Sequence, residues 1–193
     1  MPLPIAHAFV GASIVVASRS RTTIHEWKAL VLAASLAVLP DFDFFITWFG
    51  NGDETWHRGF SHSATFAIII AVGTAILVRK SFLRNAMVYG AASLSHGLLD
   101  LLTTRSPGGV KFFWPFYSER MKLGLFDYPF TVVPHPAHES WTFIILAILK
   151  ASSKELLIFP PMFALLLAYK LARSARRDHN LVSDPGRNKS TSR

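Results

Sequence analysis

The chain alternates between long apolar stretches and short polar segments. Five apolar stretches stand out, at residues 3–18, 29–49, 64–78, 86–102 and 156–172. Each is close to, or a little under, the ~20 residues that an α-helix needs to cross a bilayer. A sixth stretch, at 143–149, is too short to cross, and we interpret it as an interfacial or re-entrant piece. The pattern predicts an all-α fold, a polytopic membrane bundle of about five transmembrane helices.

The composition agrees with a membrane protein that has basic loops. Lys and Arg number 20 and Asp and Glu 12, a net charge of +8, yet only 17% of the residues are charged and 51% are hydrophobic. A basic nucleic-acid binder is usually charged throughout, so we expect no nucleic-acid partner. The start, Met-Pro-Leu-Pro, has neither the basic region nor the cleavage site of a signal peptide, so we predict none.

The basic residues predict the orientation of the helices. If each stretch crosses once, 13 of the 20 basic residues fall on the face where the first stretch ends, and 7 on the face where it begins. The richer face is then cytoplasmic. We expect a multi-pass protein of the inner (plasma) membrane with a cytoplasmic C-terminus and an outer 103–154 loop. Residues 1–172 form the predicted membrane domain, and 173–193 a basic, disordered cytoplasmic tail.

Ionisable residues in or beside the apolar stretches predict a functional site, because such groups are costly inside a membrane. They lie alternately at the start and the end of successive stretches, so helices of alternating direction gather them in one layer near the outer face. This set consists of His7, Asp41, Asp43, His57, His62, His96, Asp100 and Glu155.

The residue types in this layer indicate a metal site. Without cysteine, a metal must be held by imidazoles and carboxylates, which suit Zn²⁺, with Mn²⁺ or Fe²⁺ as alternatives. His96 and Asp100 lie four residues apart and share a helix face. Pro40 is expected to break the second helix, and Gly59 to permit a tight bend before the third. For one or two ions, the predicted ligands are His7, Asp41, Asp43, His57, His62, His96 and Asp100.

Each of these residues also has a simpler interpretation. His96 and Asp100 could only tie helices together by a hydrogen bond, and the aspartates after Pro40 could only cap a helix. Arg58 is either a salt-bridge partner of the acidic cluster or a clamp on substrate oxygens. As an acidic catalytic group we favour Glu155 over Glu139, because Glu155 opens the fifth stretch. Arg58 and Glu155 are therefore the predicted catalytic residues.

Several motifs resemble one family in particular. They are the early His7, Leu-Pro-Asp-Phe-Asp at 39–43, His-Arg-Gly-Phe-Ser-His-Ser at 57–63, Ser-His-Gly-Leu-Leu-Asp at 95–100 with Thr103 and Thr104, Trp-Pro-Phe at 114–116 with Glu119 and Arg120, and Glu155. In this order they resemble the YdjM/YbcI-type inner-membrane family, which implies a membrane-embedded metal-dependent hydrolase. More distantly, the order of His and Asp is similar to zinc-dependent phospholipase C and the P1-type nucleases. Their later His ligands have no counterpart between Asp100 and His135.

The expected function is hydrolysis of a phosphoester or a lipid-linked substrate by a metal-activated water. Two alternatives stay open: a transporter of protons or divalent cations, and a metal-binding membrane protein without catalytic activity. Transport is disfavoured because the ionisable groups form one layer and the sequence has no inverted repeat. The bilayer and a lipid or lipid-linked substrate are the expected partners, and the oligomeric state is left open.

Overall fold

A computed structural model of the chain describes residues 2–18, 27–44, 58–79, 81–103, 108–125 and 140–183. Its α-helices are α1 (Pro4–Ser18), α2 (Trp27–Val38), α3 (Ala64–Val78), α4 (Phe82–Leu102) and α5 (Trp141–Ser183). Two short 3-10 helices cover Leu39–Phe42 and Phe60–His62. An isolated antiparallel β-bridge joins Val110 and Met121. The all-α prediction is confirmed.

The apolar stretches correspond closely to the first helices. Stretches 3–18 and 64–78 become α1 and α3, and α4 begins slightly before stretch 86–102. In stretch 29–49 the α-helix ends at Val38, and a 3-10 helix with Pro40 near its start follows. Proline lacks the amide hydrogen that an α-helix interior requires. The predicted break before Asp41 is therefore present.

The C-terminal part of the prediction was wrong in its boundaries. The stretches at 143–149 and 156–172 belong to one helix, α5, which includes Pro160 and Pro161. This helix also covers residues 173–183 of the predicted disordered tail. The polar residues that suggested a break include Lys154 and Glu155, and the tail begins with Arg173, Ala175, Arg176 and Arg177 among its first residues. Lys, Glu, Ala and Arg are all good helix formers. These polar residues therefore lie inside a continuous helix and do not mark its end.

Among the described helices, none is both long enough and apolar enough to cross a membrane. The five predicted crossings stay a prediction.

Small residues bring the first helices into close contact. A Cβ atom added at Gly11 of α1 would lie 2.6 Å from the carbonyl oxygen of Ala33 and 2.6 Å from the Cβ of Ala37, both on α2. At Gly90 of α4 it would lie 2.6 Å from the Cβ of Ala71 on α3. Glycine and alanine at such positions let helix backbones approach closely. This packing brings polar residues of α1, of the 3-10 helix after α2 and of α4 into contact with one another.

Helix α5 holds α1 at both ends. The buried carboxylate of Glu155 accepts hydrogen bonds from the backbone amides of Leu3 (2.6 Å) and Ala6 (3.0 Å). At the other end, the ammonium group of Lys170 donates to the carbonyl oxygen of Ala17 (2.9 Å). The acidic group lies at amides of the first turn of α1 and the basic group at a carbonyl of its last turn, so both charges complement the helix dipole. The two helices therefore run in the same direction over this length.

Candidate metal centre

Buried His and Asp side chains from four elements meet at one place. One group consists of His7, Asp41 and His96, and the other of His62, His96 and Asp100; within each group the potential ligand atoms lie within 4.8 Å of one another. Helix α1 supplies His7, the 3-10 helix after α2 supplies Asp41, the second 3-10 helix supplies His62, and α4 supplies the other two. The predicted convergence is present for these five residues.

The two central histidines are oriented by their Nδ1 atoms. His96 Nδ1 lies 2.7 Å from the carbonyl oxygen of Ala37, which can only accept a hydrogen bond. His62 Nδ1 lies 3.0 Å from Ser61 Oγ, whose hydroxyl donates to Asp43 Oδ2 at 2.7 Å. The serine oxygen must therefore accept from the ring. Both rings carry their hydrogen on Nδ1, which leaves a lone pair on each Nε2.

These two lone pairs face each other. His62 Nε2 and His96 Nε2 are 3.0 Å apart. Two hydrogen-bond acceptors at this distance repel unless a proton or a cation lies between them. For ligands about 2.1 Å from one ion, neighbouring donor atoms are about 3.0–3.4 Å apart. The separation therefore fits two ligands of a single ion.

The surrounding polar atoms distinguish a cation from a proton. His7 and Asp100 are fully buried and Asp41 is 6% exposed. Among the described residues, neither ring nitrogen of His7 and none of the four carboxylate oxygens of the two aspartates has a hydrogen-bond partner. A proton on one of the Nε2 atoms could also serve Asp41 Oδ1, which is 3.4 Å from His96 Nε2, but within the described part of the chain it would leave the nitrogens of His7 and the oxygens of Asp100 without a hydrogen-bond partner. Since buried polar groups without partners are costly, the donor set fits a divalent cation.

The remaining distances agree with this fit. Asp41 Oδ1 lies 3.4 Å from His96 Nε2 and 3.9 Å from His62 Nε2, and Asp100 Oδ2 lies 3.6 Å from His62 Nε2. His7 Nε2 is 3.8 Å from Asp100 Oδ1, and its ring stacks on that of His96 with centroids 3.7 Å apart. The two groups share His96, so the five residues offer ligand atoms to one ion or to two neighbouring ions.

Asp43, also a predicted ligand, has a different set of contacts. Its Oδ2 accepts hydrogen bonds from Ser61 Oγ (2.7 Å) and from the backbone amide of Arg58 (3.0 Å). The same oxygen lies 3.4 Å from His62 Nδ1. It belongs to neither of the two groups of candidate ligands in the described part of the chain. The structure places Asp43 behind His62, on the side of the ring that faces away from His96 Nε2.

Arg58 lies at the edge of the cluster. Its side chain is 5% exposed, and its Nε is 3.9 Å from Asp100 Oδ2. Its backbone has a φ of 62°, in the left-handed region, which costs a non-glycine residue energy and must be held by its surroundings. The amide of Lys111 donates to the Arg58 carbonyl at 3.1 Å. The left-handed residue in the predicted bend is therefore Arg58, and not Gly59.

Burial is the largest influence on the pKa values of Arg58 and His62. Burial lowers the pKa of Arg58, while Asp100 and Asp41 raise it. Burial and then the neighbouring His96 lower the pKa of His62, against the effect of Asp43 and Asp100. The lowered pKa keeps the His62 ring neutral near neutral pH, with its lone pair available to a cation.

Glu155 caps the start of α1. It is fully buried within α5, and both of its oxygens accept hydrogen bonds from the amides at the start of α1. Its predicted catalytic role stays a prediction. His57, the remaining predicted ligand, and Glu139, the alternative acidic residue, lie outside the described residues.

Some supporting contacts were not foreseen from the sequence. Ser61 and the Ala37 carbonyl orient the histidines; Ser61 lies inside a conspicuous motif, but a backbone carbonyl leaves no signal in the sequence. A Cβ at Gly97 would collide with the carbonyl oxygen of His62, so only glycine allows α4 to approach this turn. The 108–125 segment also covers the turn, since Phe112 accepts a hydrogen bond from Ala64 (2.8 Å).

Comparison with known proteins agrees with the resemblance seen in the motifs. Inner membrane protein YbcI of Escherichia coli (strain K12) is 34% identical over 126 residues, which cover 62% of this chain and 71% of that protein. No solved structure matches the chain. The profile of the YdjM inner membrane protein family matches residues 1–177, a range that includes every residue of the cluster. On this match the chain belongs to the YdjM inner membrane protein family.

Proposed function

We propose that this protein is a membrane-bound, metal-dependent hydrolase that acts on a phosphoester or lipid-linked substrate. One observation carries the proposal: two imidazole lone pairs 3.0 Å apart are surrounded by buried His and Asp atoms that have no hydrogen-bond partner among the described residues. Such an arrangement is unfavourable without a cation.

The residues that would hold the metal are His7, Asp41, His62, His96 and Asp100. The predicted metal is zinc, with manganese or iron as alternatives, as one or two ions. Because His96 Nε2 offers one lone pair, His96 would bind one ion only. A divalent cation bound here would activate water for attack near neutral pH and polarise a phosphoryl or carbonyl oxygen.

The chain's own residues supply orientation and charge. Nδ1 contacts hold the rings of His62 and His96 with Nε2 towards the centre, so the ligands need little rearrangement. The buried guanidinium of Arg58, beside Asp100, can donate to two oxygens of an anionic substrate and stabilise negative charge that develops there. Burial of all these groups excludes bulk water, which strengthens each interaction.

We further propose that the helices lie in the bilayer. Large apolar side chains are exposed along α3 and α5, including Leu77 (82%), Leu157 (77%) and Leu165 (72%). An apolar surface of this extent is typical of contact with lipid or protein. The charge distribution favours several crossings, a cytoplasmic C-terminus and a metal centre near the outer face. Reporter fusions after Arg193 and within 103–154 test this; an active alkaline phosphatase fused to the C-terminus would overturn the orientation.

Elemental analysis of detergent-purified protein, followed by a screen of phosphoester and lipid substrates, tests the function. We expect bound metal and metal-dependent turnover. Asp100→Ala removes a ligand and should abolish both. Arg58→Ala should keep the metal and lose turnover, because the guanidinium binds substrate oxygens and not the ion. Arg58→Lys should restore turnover only in part, since an ammonium group cannot make a two-pronged contact.

Assays of the same purified protein in detergent micelles and in sealed vesicles distinguish hydrolysis from transport. A hydrolase turns over its substrate in detergent micelles, whereas a transporter needs a sealed membrane. Metal or proton flux in proteoliposomes, with no hydrolysis under any metal tested, would replace our proposal by the transport alternative. Protein that is purified without stoichiometric metal, and that cannot bind added Zn²⁺ or Mn²⁺, would contradict both metal-dependent hydrolysis and metal transport.

A further inference from the structure

One carboxylate oxygen connects the two parts of the site. Asp43 Oδ2 accepts from the Arg58 amide at 3.0 Å and from Ser61 Oγ at 2.7 Å, and it lies 3.4 Å from His62 Nδ1. The three groups belong to one short turn, at 58–62, while Asp43 follows α2. The side chain of Asp43 is 9% exposed, so water competes little for this oxygen.

The hydrogen bonds in this turn are compatible with only one tautomer of the His62 ring. The Ser61 hydroxyl has a single hydrogen, and Asp43 Oδ2 receives it. Towards His62 Nδ1 the serine therefore presents only lone pairs, and so does the carboxylate. Nδ1 must carry the ring hydrogen. Nε2, 3.0 Å from His96 Nε2, must then be the bare atom.

The same oxygen also restrains Arg58. A φ of 62° is unfavourable for arginine, and the hydrogen bond from its amide to Asp43 helps to hold it. That backbone conformation places Nε 3.9 Å from Asp100 Oδ2. Loss of the Asp43 carboxylate would therefore release both the ring of His62 and the guanidinium of Arg58.

We propose that Asp43 is a positioning residue, which fixes the Nδ1–H tautomer of His62 and the left-handed turn at Arg58, and not a ligand of the metal. The inference deepens the proposed function and rests on it for the roles of His62 and Arg58. It replaces our expectation that both aspartates after Pro40 bind the ion.

The first test needs neither metal nor substrate. Nitrogen-15 NMR of histidine-labelled, metal-free protein at about pH 8 reports which ring nitrogen carries the hydrogen, because neutral imidazoles predominate there. The difference spectrum against His62→Gln assigns the signal. We expect Nδ1–H for His62 in the wild type and in Asp43→Asn, whose amide oxygen still accepts hydrogen bonds, and a mixture in Asp43→Ala. An Nε2–H tautomer in the wild type would overturn the proposal.

The second test uses Co²⁺ as the probe of the metal centre. Asp43→Ala should bind the same number of Co²⁺ ions at saturation but with an affinity about 10- to 100-fold weaker, as is usual on loss of a group that orients a histidine ligand. Asp43→Asn should lie near the wild type, and Ser61→Ala between the two. Ser93→Ala is the matched control: this buried hydroxyl has no partner among the described residues, and the variant should bind as the wild type does.

The outcomes separate this proposal from the hydrolase proposal. A lower number of Co²⁺ ions in Asp43→Ala at saturation would make Asp43 a ligand and refute the inference. Unchanged affinity together with an unchanged His62 tautomer would also refute it. Full metal binding without hydrolysis in the wild type would instead remove the proposed function, while the tautomer and the Co²⁺ affinities would still decide the role of Asp43.

Discussion

Replacement of Glu155 by alanine tests whether this residue caps a helix or takes part in catalysis. Its two oxygens accept from the amides of Leu3 at 2.6 Å and Ala6 at 3.0 Å, and the side chain is fully buried. In the alanine variant the Leu3 amide loses its acceptor at a cost of roughly 1–3 kcal/mol, whereas the Ala6 amide keeps its 3.1 Å hydrogen bond to the Leu3 carbonyl. We therefore expect a loss of about 1–3 kcal/mol in the free energy of unfolding.

Thermal unfolding of detergent-purified protein measures this loss. At about 2–4 °C per kcal/mol for a chain of this length, the midpoint should fall by about 2–12 °C. Glu155→Gln keeps one acceptor and should lose about half as much. Glu119→Ala is the matched control, because it removes the same type of side chain from an exposed position and should change stability by less than about 0.5 kcal/mol.

The catalytic and capping interpretations differ in a second measurement. If Glu155 is a cap, the alanine variant should bind metal more weakly, because Ala6 directly precedes His7, yet recover turnover when metal is saturating and the temperature low. A variant that unfolds as the wild type does, binds metal fully and has no turnover would refute the capping role. It would support Glu155 as a catalytic residue.

Two further predictions concern the turn that carries His62. Gly97→Ala places a methyl group against the His62 carbonyl, so it should lower the free energy of unfolding by about 1–3 kcal/mol and weaken Co²⁺ binding. Gly73→Ala is the control: a Cβ there has no neighbour within 4 Å, so this variant should raise the unfolding midpoint slightly. Acidification should destabilise the metal-free protein. Burial lowers the pKa of His62 below its ordinary 6.5, so the unfolded chain binds more protons than the folded chain. The free energy of unfolding should therefore fall as the pH decreases below 6.5. Thermal unfolding across this pH range checks it, with a flatter slope for His62→Gln.

The sequence predicted the ligand-bearing elements well, because each rests on a local rule. An apolar run of sufficient length becomes a helix, and Pro40 stops one. The spacing of His96 and Asp100 puts both on one face, and the shared layer follows from alternating directions. Five of the predicted ligands therefore lie together in the structure.

The roles of Asp43 and Glu155 were harder to predict, since both depend on distant partners. A carboxylate near a metal centre can bind the ion or orient a ligand, and the choice depends on a few ångströms of backbone position. Glu155 is separated from Leu3 by 152 residues, and nothing near it in sequence indicates that it meets free amides. The continuous α5 was missed for a related reason, because a buried Glu inside a helix looks like a polar boundary when its partner is unknown.

The contact between Glu155 and the start of α1 also has a consequence for the order of assembly during synthesis. His7 leaves the ribosome early, but the carboxylate that fixes the first turn of its helix follows about 150 residues later, and the ends of α1 and α5 meet only then. The other four clustered side chains can gather before that point, because they do not lie on α1 and all of them precede α5. They are Asp41, His62, His96 and Asp100. The nascent chain would thus carry an incomplete centre until most of it has been made. A chain stopped before residue 155 should keep these donors and yet hold its ion weakly.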